Sequence, residues 1–227
     1  ICDSAPECLY SSWLAYDQLS RATTGIAKEP AAEPSMPMSL RKRFLMLRPF
    51  IRAGDDYVLI QRLLSEERTP SCQQEFDQAR QEAGKETLSH YADTLNLVRK
   101  NLLSQERNHW LRLNPLYKGM NKILESADWQ ATRILSTKDP QYIKAILEFN
   151  GLTVPAQAIV HAANRSKLSI VTAAINAGEW EHAVLIDDQI DHLLGNKDER
   201  ISVHLATWGY SKPEWETTSQ VPTLDLH

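Results

Sequence analysis

The 227-residue sequence predicts an α/β protein, a parallel-sheet core in the C-terminal half with an all-helical segment placed ahead of it. Three observations carry this expectation. After Asn114-Pro115, short apolar runs alternate with amphipathic ones. Before that point, from about residue 39 to residue 110, glycine is almost missing and apolar residues recur at helical steps. With 42% hydrophobic and 24% charged residues, the chain can bury a sizeable core.

Residues 4–20 carry Cys8, Leu9, Trp13, Tyr16 and Leu19 at spacings close to one helical face, behind Asp3-Ser4 and Pro6, which predicts a short helix. Residues 25–37 hold Pro30, Pro34 and Pro37, a composition that supports neither helix nor strand and predicts a loop. In the next segment Leu88, Tyr91, Ala92, Leu95, Val98 and Leu102 repeat at steps of three and four. Residues 132–135, 158–161, 183–186 and 201–206 then read as buried strands. Between them, residues 142–149 and 168–175 read as helices, the second with Leu168, Val171, Thr172 and Ile175 on one face. Strands alternating with helices imply βαβ units and a parallel sheet covered on both faces. The expected division is a sheet core from residues 1–22 and 112–227, and a helical insert with a proline-rich entry loop from residues 23–111.

A net charge of -4 and a pI near 6.0 give no global basic field, so nucleic acid is not an expected partner. No apolar run approaches the roughly 18 to 20 residues of a membrane span, and no signal-peptide pattern opens the chain, so no membrane partner is expected. Cys2, Cys8 and Cys72 are odd in number and form no CxxC pair, which predicts neither a disulfide framework nor a zinc site. A reducing compartment follows as the expectation, the cytoplasm or one such as a plastid stroma. The chain opens on Ile1 rather than Met, and the gene product is expected to start earlier.

Parallel α/β sheets bind ligands at the carboxyl ends of their strands. Those positions hold Ser136-Thr137-Lys138 after the first run, Asn164-Arg165-Ser166-Lys167 after the second, Asp187-Asp188 after the third and Thr207-Trp208-Gly209-Tyr210 after the fourth. A hydroxyl and a cation can hold phosphate oxygens, and paired carboxylates can hold magnesium.

In this order the residues resemble the haloacid-dehalogenase-like (HAD) superfamily of hydrolases. Ile134-Leu135-Ser136-Thr137-Lys138 matches its second motif, Lys167 its third and Val184-Leu185-Ile186-Asp187-Asp188 its fourth, while Trp208-Gly209-Tyr210 resembles the "WGY" ending of many members. Asn114-Pro115-Leu116-Tyr117-Lys118-Gly119 is similar to the family segment ahead of the second motif. The helical middle falls where the family inserts a helical cap of the C1 type. The resemblance implies a Rossmann-like core and a magnesium-dependent phosphatase acting on a small phosphorylated substrate through an aspartyl-phosphate. It implies Ser136 and Lys167 as catalytic residues, Ser136, Thr137 and Lys167 as phosphate-binding residues, and Asp187 and Asp188 as the magnesium site.

The family's first motif, D-x-D-G followed by a tail of the form L-x-D-S-x-P, supplies the nucleophile and the acid/base. Ile1-Cys2-Asp3-Ser4-Ala5-Pro6 matches that tail, which places both catalytic aspartates upstream of Ile1. A second register takes Asp3 as nucleophile with Lys42 as a cap lysine, as in the phosphonatase branch; Ala5 and Pro6-Glu7 fit it poorly.

Each residue also has a plainer role. Asp187-Asp188 can serve as a helix N-cap, Asp191 as an exposed acid, and Ser136 and Thr137 as caps for the helix starting near Pro140. Lys167 can be a solvated lysine, and Lys138 a surface residue. The run Arg41-Lys42-Arg43 with Arg48 and Arg52 reads as a solvated helix face sooner than as a substrate grip. His161, His182, His192 and His204 lack ligand spacing and read as structural or surface histidines. The competing class is a catalytically inactive HAD-like protein that binds a protein partner or assembles a complex.

Overall fold

The computed structural model describes residues 1–24, 38–163, 165–218 and 220–226; the proline-rich stretch 25–37 and Asn164 lie outside the described residues. The fold is mixed α/β, 57% helical, with small parallel sheets. Two compact units divide the chain, Ser4–Asn114 on one side and Ile1–Asp3 with Pro115–His227 on the other. No described helix is long and apolar enough to cross a membrane.

The first unit contains α1 (Ala5–Thr24), α2 (Met38–Leu47), α3 (Gly54–Ser65), α4 (Gln73–Ala83), α5 (Lys85–Gln105) and α6 (Arg107–Arg112). In α5 the helical period is visible in what is buried: Tyr91, Leu95, Val98 and Leu102. The central helix is α3, where Val58, Leu59, Ile60, Leu63 and Leu64 are all buried and α1, α2 and α5 pack around it. Gly84 separates α4 from α5 at φ 79°, a left-handed backbone that a β-carbon disfavours.

The expected division placed the helix now seen as α1 with the sheet core. It belongs to the helical unit because its buried polar residues find their partners there. The Glu7 carboxylate, fully buried, accepts hydrogen bonds from Ser11 Oγ at 2.7 Å, Arg99 Nε at 2.8 Å, Arg99 Nη2 at 3.0 Å and Trp110 Nε1 at 3.2 Å. Burial alone would lower the Arg99 guanidinium, but the Glu7 charge beside it raises it above the ordinary arginine value. Gln61 of α3 donates to Ser12 Oγ at 2.9 Å and so ties α1 to the central helix.

The second unit contains α7 (Met120–Glu125), β1 (Ile134–Ser136), α8 (Pro140–Phe149), β2 (Ile159–His161), α9 (Lys167–Asn176), β3 (Ala183–Asp187), β4 (Ile201–Ala206), α10 (Pro213–Thr218) and β5 (Thr223–Leu224). All strand pairs are parallel, but they form two sheets, β1-β2 and β3-β4-β5, where the alternation of runs predicted one. The outer edges of β1 and β3 carry no strand among the described residues. Residues of both sheets nonetheless share a core: Leu135 of β1 packs on the cluster of Val171, Ile175, Leu185, Leu193, Ile201 and Leu205. A second cluster joins Met120, Leu124, Ile134, Leu147, Leu152 and Ile159, with Trp208 against it.

The register Val184 with Ser202 and Ile186 with His204 puts these four residues on one face of the larger sheet. That face is not buried as the apolar run had predicted. Val184 is 63% and Ile186 45% exposed, while Leu185 and Asp187 on the opposite face are buried.

Candidate functional site

Because every pair is parallel, the carboxyl ends of β1 to β4 open toward loops carrying Ser136, His161, Asp187 and Ala206 as their last strand residues. Asp187 ends β3 only 8% exposed. Its Oδ2 accepts from Lys167 Nζ at 2.5 Å. Lys167 is the first residue of α9, whose N-cap is Ser166. A lysine there opposes the helix macrodipole, and the Asp187 carboxylate offsets that cost. The second oxygen, Oδ1, accepts from Gln189 N at 2.9 Å and His192 Nδ1 at 3.1 Å. Burial by itself would raise this carboxyl; the hydrogen bond from His192 and the charge of Lys167 outweigh it and hold Asp187 well below the usual carboxylate range.

Asp188 has different surroundings. Its Oδ2 accepts from Tyr210 N at 3.0 Å, and Gly209 lies so close that a β-carbon there would overlap the Asp188 side chain. Gly209 is therefore required by space, since its backbone is not in the left-handed region. Oδ1 of Asp188 accepts no hydrogen bond among the described residues. Tyr210 Oη in turn donates to Asp3 Oδ1 at 2.6 Å, and Cys2 bridges Leu116, which fixes the start of the chain in this unit.

Ser136 closes β1, and its Oγ accepts from Lys138 N at 3.0 Å, a local turn that leaves the hydroxyl proton available to donate. The cap of α8 is neither Ser136 nor Thr137. Asp139 fills that position, accepting from Gln141 N at 2.9 Å, with Pro140 in the first turn. Thr137 is exposed, and its carbonyl lies 3.3 Å from His161 Nε2. Ser136 and Thr137 make no hydrogen bond with Lys167, Asp187 or Asp188 among the described residues.

Of the residues singled out from sequence, Lys167 and Asp187 are brought into direct contact, Asp188 meets Gly209 and Tyr210, and Ser136 stands at the end of the separate small sheet. His192 had been read as a structural or surface residue. It lies five positions after Asp187, in the short turn Ile190–His192, and only the fold of that turn returns its ring to the carboxylate.

Magnesium prefers oxygen donors and keeps several waters, so one or two carboxylates suffice to anchor it. Asp188, with an oxygen to spare, fits that requirement. Asp187, with Lys167 on one oxygen and two donors on the other, fits it less well as a direct ligand. No group of three or more His, Cys, Asp or Glu residues in metal-binding proximity occurs among the described residues. No family model, curated protein or solved structure matches this chain.

Proposed function

We propose that the chain belongs to a magnesium-dependent phosphohydrolase of the haloacid-dehalogenase type, acting on a small phosphorylated metabolite. The observation that carries this is the Lys167–Asp187 pair beside Asp188 at the carboxyl end of a parallel strand, with Ser136 ending a strand of the smaller parallel sheet. In that family the nucleophile is an aspartate on a strand whose motif tail matches Ile1-Cys2-Asp3-Ser4. The edges of β1 and β3 carry no strand among the described residues while Leu135 and Leu185 share one core, an arrangement compatible with a further parallel strand. Asp3 suits the motif tail better than the nucleophile position, since its carboxylate is engaged by Tyr210.

In this mechanism the upstream aspartate attacks phosphorus, forming a P–O bond as the ester oxygen departs with a proton from the second aspartate; water then hydrolyses the aspartyl-phosphate. Lys167 keeps two N–H donors beyond the one on Asp187, and these serve phosphoryl oxygens. Ser136 Oγ donates its free proton to the same group. Asp188 would hold magnesium, with Asp187 alongside, and the bound ion would neutralise charge on the transferring oxygens.

The test is hydrolysis of an aryl phosphate by the complete gene product, with and without magnesium, in the wild type and Asp188→Asn. Metal-dependent turnover that falls at least a hundredfold in the variant is expected. Equal slow rates under all conditions would reject phosphatase activity, and so would a coding sequence without D-x-D-G before Ile1.

A further inference from the structure

We propose that His192 is a positioning residue for the phosphate-binding lysine, acting through Asp187; this deepens the phosphohydrolase reading and rests on it for its catalytic part. Lys167 Nζ is useful only if its remaining donors point in fixed directions, and its anchor is one oxygen of Asp187. A carboxylate held on a single oxygen can still rotate about its Cβ–Cγ bond. Here Oδ1 is clamped by Gln189 N and His192 Nδ1, so rotation would break two hydrogen bonds and Oδ2 stays on the lysine.

The turn that carries His192 is itself immobilised. Ile190 and Leu193, which flank it within the 190–193 turn, are 5% and 1% exposed in the core that holds Leu185 and Leu205. His192 N donates to Gln189 O at 3.0 Å, and Leu193 N to Ile190 O at 2.9 Å. The ring is thus delivered to Asp187 by a turn anchored in the sheet core, against Val171 and Ile175 of α9, the helix that carries the lysine. Lysine, carboxylate and imidazole form a line from α9 across the end of β3 to the following turn. His192 does not touch the reacting atoms in this scheme; it sets the direction of a group that does.

The test compares His192→Ala with His192→Asn, whose side-chain amide can still donate to Asp187. In the complete gene product, the alanine variant is expected to lose ten- to a hundredfold in kcat for an aryl phosphate, with KM and the half-saturating magnesium concentration within about twofold of wild type. The asparagine variant should recover most of the loss. A kcat unchanged in His192→Ala, or lost equally in both variants, would overturn the proposal. A second measurement needs no activity. In protein labelled with lysine side-chain 15N, the Lys167 ammonium signal, assigned by its disappearance in Lys167→Met, should shift or broaden in His192→Ala and stay in place in His192→Asn. An unmoved signal in His192→Ala would refute the positioning role, whereas absent hydrolysis with a moved signal would refute only the phosphatase.

Discussion

Removing the Arg99 guanidinium should destabilise the helical unit in a way that depends on pH with a slope set by the structure. Arg99→Met preserves most of the packing volume and withdraws both guanidinium donors from the buried Glu7 carboxylate, while Ser11, Trp110 and the weak donor Cys8 remain. Breaking one side of a buried pair costs about 3–5 kcal/mol. The carboxyl has an escape, which is to take up a proton. At about 1.4 kcal/mol per pH unit, the interval between pH 7 and an ordinary glutamate value near 4.3 caps the cost of the stranded charge at roughly 4 kcal/mol. A loss of about 3–4 kcal/mol at pH 7 is therefore expected, shrinking by about 1.4 kcal/mol for each unit the pH is lowered toward 5. The sign follows from linkage: in the variant the folded state binds a proton more tightly than the unfolded state, so its stability rises as pH falls. Urea unfolding followed by far-ultraviolet circular dichroism at pH 7, 6 and 5 measures this slope. Glu7→Gln combined with Arg99→Met carries no charge to strand, and its loss should not vary over the same interval. A loss in Arg99→Met that is the same at pH 7 and pH 5 would refute the assignment of its cost to a stranded carboxylate.

Gly209→Ala should cost about 1–3 kcal/mol by overpacking against Asp188 and displace that carboxylate, so thermal stability and metal-dependent turnover should fall together; a variant as stable and active as wild type would contradict the close approach. Asp187 is expected to contribute stability that is at full strength above about pH 4, the ordinary carboxylate range, and is lost only as pH falls through its lower folded value. The melting-temperature difference between wild type and Asp187→Asn should therefore not narrow between pH 8 and pH 5 and should narrow below pH 4. A difference that already narrows between pH 7 and pH 5 would contradict the depressed carboxyl.

The element types were legible in the sequence because periodicity is a local property. The places of Ser136 and Asp187 where apolar runs stop, of Lys167 in the first turn of a helix and of the buried face of α5 all follow from where apolar residues end or recur, with boundaries off by one residue. The position of Asp187-Asp188 at a strand end was legible for the same reason, since it requires only a strand and its direction. Two features were not. The membership of α1 in the helical unit depends on Glu7 meeting Arg99, 92 positions away, which no local pattern encodes. The partition of the strands into two sheets depends on which edges find partners, and β3 pairs with β4 while its other edge carries no strand among the described residues.

Sequence alone determined the order of hydroxyl, lysine and acidic pair, and the alternation that puts Ser136 and Asp187 at the carboxyl ends of parallel strands. Only the tertiary structure decided how the two aspartates differ. Asp187 is buried and clamped by Lys167, Gln189 and His192, while Asp188 keeps an oxygen open beside Gly209 and Tyr210. Asp187 ends its strand and Asp188 lies in the bend that follows, so two identical side chains side by side in the sequence meet different neighbours, and those neighbours lie on elements that only folding brings near.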